Sequence, residues 1–345
     1  MKKSHLISLA AAMLALTFSS CGKTPAKTTA DSDPEYVLLA YVWAGGGDML
    51  PPADKVTGIN YGFGYPNETR NGIYIDNEKR FQDVIDLKKQ NPDLKVLLSM
   101  GGNSHDGYPE LVSTEANRKA FAKDCLRVIK EYGIDGIDFD WEFPASEGGT
   151  PDDIDNFQML MEDIREAIGP DYLLTVAGGA SARALKFPEL LSVVDYINIM
   201  SYDLGWQAPY HHTALYRSDV TGWHSVEESL HEFLDKGVPR DMIVLGMAFY
   251  GRGDEGKHFA NWTDYKDIKV TDGLEERWDS VGCVPYLADK ATGELVIGYE
   301  NPRSLEIKCQ YIKDQGLKGG MYWRTEYENP DQELAHTVAR CLLGK

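Results

Sequence analysis

The sequence predicts an α/β chain closed into a (β/α)8, or TIM, barrel, with one small α+β insertion between the seventh strand and the seventh helix. Three observations carry that expectation. From residue 35 onward, short apolar runs alternate with amphipathic helical stretches, the rhythm of a parallel sheet with helices packed outside it. The apolar runs number eight, which favours closure over an open sheet. The 345 residues exceed one small domain but fit a barrel of this kind, and 43% hydrophobic residues are enough to fill its core.

Taken in order, the strands are expected at Val37–Trp43, Val56–Phe63, Val96–Met100, Gly136–Glu142, Leu173–Ala177, Tyr196–Tyr202, Ile243–Phe249 and Gly319–Trp323. Helical periodicity is clearest at Ala116–Tyr132, Asp152–Ile168, Val226–Lys236 and Ser304–Gln315, with Thr114 as the N-cap of the first of these. One stretch breaks the rhythm. Residues 253–299 read as β-like pieces around turns, including Val284-Pro285-Tyr286-Leu287, Lys290-Ala291-Thr292-Gly293 and Leu295–Tyr299, and form the expected insertion, one wall of a cleft. The barrel as a whole then covers 35–345.

Charge narrows the partners. Lys+Arg 35 against Asp+Glu 54 leaves a net charge of −19, which repels nucleic acid and suits a neutral, polyhydroxylated ligand. The cysteines after residue 21 (Cys125, Cys283, Cys309 and Cys341) follow neither a metal pattern nor a disulfide framework. Cys125 shares an apolar helix face with Phe121 and Val128 and is expected as a buried thiol. A Cys309–Cys341 bridge between the last two helices is open.

The N-terminus carries an address. Lys2 and Lys3 precede an apolar stretch, Leu6 to Phe18, too short to span a bilayer, and Phe18-Ser19-Ser20-Cys21 closes it. This resembles a bacterial lipobox. The resemblance implies a signal peptide over 1–20, lipidation at Cys21, a flexible tether over 21–34, and a lipid-anchored place in the cell envelope, periplasmic or at the surface. An ordinary signal with an incidental cysteine is the alternative.

The chemistry concentrates in Asp135-Gly136-Ile137-Asp138-Phe139-Asp140-Trp141-Glu142, the fourth strand. Alternation along a strand puts Asp138, Asp140 and Glu142 on one face and Phe139 and Trp141 on the other. The apolar pair would face the helices, so three carboxyls would point into the barrel mouth. Like charges that close must raise at least one pKa, and a carboxyl kept protonated is what general acid catalysis needs. A solvated acidic edge fits badly with the bulky apolar residues between. A divalent-metal site lacks matching ligands elsewhere, and neither metal nor cofactor is expected.

These residues match in full the D-G-x-D-x-D-x-E signature of glycoside hydrolase family 18, the chitinases and related N-acetylglucosaminidases, and the chain resembles that family along nearly its whole length. Ile59-Asn60-Tyr61-Gly62-Phe63 is similar to its second strand and Ser99-Met100-Gly101-Gly102 to its third. Met200-Ser201-Tyr202-Asp203 looks like its sixth, Phe249-Tyr250-Gly251-Arg252 its seventh, and Gly319-Gly320-Met321-Tyr322-Trp323 its eighth. The resemblance implies a retaining, substrate-assisted glycosidase acting on β-1,4-linked N-acetylglucosamine, as a monomer. Glu142 would be acid and base, Asp140 would orient the acetamido group, Asp138 would share a proton with Asp140, and Tyr202 would hold the acetamido oxygen. Tyr41, Phe63, Gly101, Gly102, Asp203, Tyr250 and Arg252 would line the sugar site, with Met200 and Met321 as walls and Trp323 as floor. Action on the chitobiose core of N-glycans, or a lectin that binds without cleaving, are the other readings; Glu142 argues against the lectin.

Other residues draw attention for local reasons. Trp43 and Trp206 follow strands one and six, where they could stack on sugars or simply pack. His211-His212 has no carboxylate or cysteine at ligand spacing and is expected in a solvent-exposed loop. His231-Glu232-Phe233-Leu234-Asp235 lacks the second histidine of a zincin, and Ser99 lacks a nucleophile elbow.

Overall fold

The computed structural model describes residues 36–103, 107–146 and 149–345; the signal sequence, Cys21 and the tether expected over 21–34 lie outside the described residues. Eight parallel strands close into a barrel. Val37–Trp43 pairs with Gly58–Pro66 on one side and Gly319–Trp323 on the other, and Lys95–Gly102, Gly136–Trp141, Leu173–Gly178, Tyr196–Ile199 and Ile243–Ala248 complete the ring. All eight coincide with expected strands, their ends shifted by up to three residues. The largest shortening is informative. The sixth strand stops at Ile199 because Ser201 turns back, its N–H donating to the Ile199 carbonyl at 2.8 Å, which releases Tyr202 into the barrel mouth.

The barrel strands are buried almost end to end, as strands covered on both faces must be, and that is why they read as continuous apolar runs. On the outer face of the fourth strand, Phe139 packs 5.6 Å from Phe157 and 6.2 Å from Phe121, and Trp141 packs 5.8 Å from Phe157. Burying rings of this size contributes roughly 2–3 kcal/mol each. It also fixes which face of Gly136–Trp141 points inward, and so aims the acids.

The expected helices form at Glu115–Tyr132, Asp153–Ile168, Val226–Asp235 and Pro302–Asp314. Thr114 caps the first by accepting from the Asn117 N–H, and Gly133 ends it at φ 66°, a conformation glycine adopts without a side-chain clash. Cys125 on this helix is fully buried. The helical layer is incomplete. Among the described residues no helix follows the first strand, and only 3-10 turns at Ala182–Ala184 and Glu189–Ser192 follow the fifth.

The insertion is an antiparallel five-stranded sheet in the order Trp262–Asp264, Tyr250–Gly253, Leu295–Gly298, Val284–Asp289, Leu274–Asp279, with its own core of Leu274, Leu287, Val296, Ile297 and Tyr299. It is less mixed than the α+β expectation: its sole helical piece among the described residues is the 3-10 turn Tyr265–Asp267. The Lys290–Gly293 turn is tied by Asp289, which accepts from the Ala291 and Thr292 N–H groups. The Cys309–Cys341 bridge does not form. Both thiols are free, Cys309 facing the core from Pro302–Asp314 while Cys341 is half-buried near the chain end.

Candidate active site

The acid strand folds as its alternation requires. Asp138 lies deepest and is fully buried, Asp140 is 3% exposed, and Glu142, just past the strand end, is half-buried at the mouth. Asp138 is the best-satisfied of the three. Its Oδ2 accepts from the Tyr41 hydroxyl at 2.9 Å and the Ser99 hydroxyl at 2.7 Å, and its Oδ1 from Thr175 at 2.5 Å and Asn198 Nδ2 at 3.0 Å. Those donors come from the first, third, fifth and sixth strands, so one carboxyl gathers half the barrel. Burial pushes the Asp138 pKa up, and the hydrogen bonds pull it part of the way back.

Asp140 is different. Its Oδ1 is buried with no hydrogen-bond partner among the described residues. Burial, then the charge of Glu142, then that of Asp138 push its pKa well above the usual carboxylate range. Glu142 rises to about 7, through burial and then the negative charge of Asp203. Burial is the larger cause for both, and the charge of Glu142 adds to it at Asp140, so near neutrality the two carboxyls retain a proton.

Glycines make the close approach possible. A side chain at Gly101, which sits at φ 127°, would place its Cβ 2.2 Å from the Asp140 carbonyl oxygen, and one at Gly102 would meet the Phe63 ring at 2.6 Å. Both glycines are buried, and they bring the third strand against the fourth at the level of the acids. Gly246 does the same on the far side. A Cβ there would stand 2.9 Å from both the Tyr202 ring and the Met321 side-chain tip. Ser201 Oγ bonds the Gly246 backbone N–H at 3.0 Å and C=O at 2.9 Å, locking the turn that carries Tyr202.

Asp203 adopts φ 58°, a left-handed conformation that Asp tolerates better than most residues. Its Oδ1 accepts from the Tyr250 hydroxyl and from Arg252 Nε, each at 2.7 Å. Burial alone would raise its pKa, but His212 and Arg252 beside it hold the carboxyl below its usual range. Arg252 lies over the Trp262 ring at 4.3 Å, and Trp262 stacks on Tyr250 at 3.9 Å and 4°. The insertion thereby braces Asp203.

Among the remaining expected contacts, Tyr41, Phe63, Met200, Tyr202, Tyr250 and Met321 are buried. Trp323 is half-buried, stacked 5.9 Å from Phe63 and tilted by 57° against Tyr41 at 5.7 Å, so it forms an aromatic floor with them beside the acids. Trp206 is 65% exposed, and Trp43 is half-buried under the Arg324 guanidinium at 4.2 Å. The expectation of an exposed His211-His212 loop is overturned. Both rings are fully buried, because the insertion sheet covers the segment: His211 lies 3.5 Å from Asp279 and His212 lies 3.6 Å from Asp203. Sequence reasoning also missed Thr175, Asn198 and Gly246. The signal was there, since lone polar residues and a glycine inside fully apolar strands ask for an inward role.

A profile of the glycosyl hydrolases family 18 matches residues 32–328. The chain is 32% identical over 287 residues to chitinase A1 of Niallia circulans, covering 69% of this chain and 41% of that one. To endochitinase 1 of Metarhizium robertsii it is 31% identical, covering 81% and 73%. To the endochitinase of Manduca sexta it is 30% identical, covering 81% and 59%, so it spans about half the length of two of these relatives. Among solved structures, the family 18 N-acetylglucosaminidase of Paenibacillus barengoltzii superposes with a TM-score of 0.78 at 32% identity, covering 89% of this chain and all of that one. With a closed barrel, the complete acid signature at its mouth and this match, the chain belongs to glycoside hydrolase family 18.

Proposed function

We propose that the protein hydrolyses β-1,4-linked N-acetylglucosamine in chitin or chitooligosaccharides, retaining anomeric configuration, with Glu142 as acid and base and the substrate's acetamido group as nucleophile. The observation that carries this reading is the unpaired Asp140 Oδ1 beside a Glu142 whose pKa is about 7. A buried acceptor without a donor costs about 1–3 kcal/mol, and an acetamido N–H supplies the donor. Glu142 gives its proton to the glycosidic oxygen as the acetamido oxygen bonds to C1 and the C1–O bond breaks. Asp140 stabilises the positive charge that develops on the acetamido nitrogen, and the Tyr202 hydroxyl, kept protonated by burial, holds the acetamido oxygen. Glu142, now ionised, takes a proton from the water that reopens the ring at C1. Asp138, satisfied by Tyr41, Ser99, Thr175 and Asn198, tunes Asp140 from below, and Trp323 supports the sugar.

A second reading is favoured by one observation. The Paenibacillus barengoltzii structure, which this chain covers in full, is that of an N-acetylglucosaminidase, so release of single sugars stands beside endo cleavage. Residues 36–345, alone and as Glu142→Gln, would be incubated with chitooligosaccharides and separately with a high-mannose glycopeptide, and the products read by mass spectrometry. Cleavage of the oligosaccharides, lost in the variant, supports the proposal, and product lengths separate exo from endo action. Release of the glycan leaving one N-acetylglucosamine on the peptide replaces chitin with the N-glycan core. Binding without cleavage of either returns the lectin reading.

The envelope address is a separate proposal: removal of residues 1–20, lipid on Cys21, and a monomeric enzyme on the tether over 21–34. Metabolic labelling with a fatty acid, lost in Cys21→Ser, supports it; unlabelled protein overturns it.

A further inference from the structure

Two adjacent histidines lie between the acid site and the insertion, and the reaction described above uses neither. Their rings point opposite ways. His211 faces the insertion: its Nε2 is 3.5 Å from Asp279 Oδ2, its ring is 5.4 Å from that of Tyr286, and a side chain at Gly298 would press on its Nδ1 at 3.1 Å. His212 faces the acid site: its Nδ1 is 3.6 Å from Asp203 Oδ1 and its ring is 5.0 Å from that of Tyr250. Both are fully buried, and among the described residues none of their four ring nitrogens has a hydrogen-bond partner. Two unsatisfied imidazoles in the interior cost stability, so a functional reason for them is worth seeking.

The segment is held at both ends. Leu204 N–H donates to the His212 carbonyl at 3.0 Å, tying His212 to the residue after Asp203. The next residue, Thr213, donates to Glu300 at 2.5 Å and accepts from the buried Lys308 ammonium at 2.6 Å, which itself pairs with Glu300. The groups whose charge bears on His212 are Asp203, Arg252 and Glu300, with the neutral Tyr250 phenol packed alongside. His212 is therefore a fixed wall. Tyr250 and Arg252 attach to Asp203 from the insertion's first strand, and His212 supplies a further contact to the same Oδ1.

We propose that His212 is a positioning residue for the acid: its Nδ1 edge and ring hold the part-exposed Asp203 carboxylate in place, so that a negative charge keeps facing Glu142. The assignment rests on the reading of Glu142 as the acid. Through this contact the segment that the insertion covers sets the pH range of the enzyme. Without the Nδ1 contact the part-exposed carboxylate relaxes toward solvent, and its field at Glu142 weakens with the rising local dielectric. A weaker field makes Glu142 easier to ionise, so its midpoint falls.

The test compares His212→Leu, which removes the nitrogen, with His212→Asn, whose amide nitrogen stands where Nδ1 stood. The Glu142 carboxyl is titrated by NMR in protein labelled with carboxyl-13C glutamate, its resonance identified by its loss in Glu142→Gln. The expected result is a midpoint lower by about one pH unit in His212→Leu and close to wild type in His212→Asn. The alkaline limb of kcat/KM on methylumbelliferyl N,N′-diacetylchitobioside should move with it. An unchanged midpoint in His212→Leu overturns the proposal, as does an equal shift in both variants. If His212→Leu does not fold, His212→Gln replaces it: its amide reaches the Nε2 position and must shift the midpoint too. A wild type that leaves the chitobioside uncut sinks the substrate reading alone, because the titration needs no substrate.

Discussion

Asn198 donates to Asp138 Oδ1 at 3.0 Å while its own Nδ2 also approaches the Tyr41 hydroxyl at 3.3 Å, joining the sixth, fourth and first strands at the base of the acid cluster. Asp138 is wholly buried, so its charge depends on these donors for the solvation that water would give elsewhere. Asn198→Leu should cost about 1–3 kcal/mol of stability and raise the Asp138 pKa further. Thermal unfolding at neutral pH checks the first part; unchanged stability would mean that Thr175, Ser99 and Tyr41 suffice without it.

Glu142→Gln should lower kcat by roughly 100- to 10,000-fold, with little change in substrate binding, because it removes a proton donor and leaves the pocket intact. Steady-state kinetics on chitooligosaccharides, with calorimetric binding alongside, separate the two effects. Near-normal turnover would sink the acid assignment.

The same substitution carries a stability signature with a definite sign. Glu142 has a folded pKa of about 7 against an ordinary 4.5, so its contribution is fully present below pH 4.5 and is lost as pH rises through 7. Glu142→Gln cannot ionise and escapes that loss. Its melting temperature relative to wild type should climb between pH 4.5 and 7 and then level off, reflecting on the order of 2 kcal/mol. A difference that does not vary with pH would show that Glu142 is not raised.

Gly246→Ala should impair the site without removing any polar side chain. The added Cβ would stand 2.4 Å from the Ile199 carbonyl oxygen and 2.9 Å from the Tyr202 ring, so the turn carrying Tyr202 must move. About 1–3 kcal/mol of stability and at least tenfold in kcat/KM are the expected losses. Wild-type kinetics in this variant would show that Tyr202 tolerates displacement.

Lys308 and Glu300 form an ion pair with both side chains fully buried, at the junction of the insertion and the helix Pro302–Asp314. Lys308→Met should cost about 3–5 kcal/mol, since it strands a carboxylate, and the double variant Lys308→Met with Glu300→Gln should recover part of that. Chemical denaturation of the three proteins gives the comparison. A double variant as unstable as the single one would show that the charge left behind is not the source of the loss.

Much of this architecture was legible before any coordinates. Eight apolar runs gave eight barrel strands, and the alternation of Asp138, Asp140 and Glu142 with Phe139 and Trp141 set the acids inward. Element ends were less legible, as at Ile199, where a serine side chain on a neighbouring strand's backbone decides where the ladder stops. The histidine pair shows the opposite failure. Nothing local distinguishes His211-His212 from a surface loop, because what covers His211 (Asp279, Tyr286, Gly298) and the Tyr250 ring beside His212 arrive from far later in the chain.

The sequence by itself determined the barrel, the strand that bears the acids and the face from which they project, because periodicity and residue size act within a few neighbouring positions. Tertiary structure alone decided how each acid behaves. Asp138 is calmed by donors from four strands, Asp140 is left with an oxygen that no described residue pairs, and Glu142 is raised by burial and then by an Asp203 that the insertion holds in place. Solvation and Coulomb fields depend on distance in space, and the groups that supply them are brought together only when the ring closes.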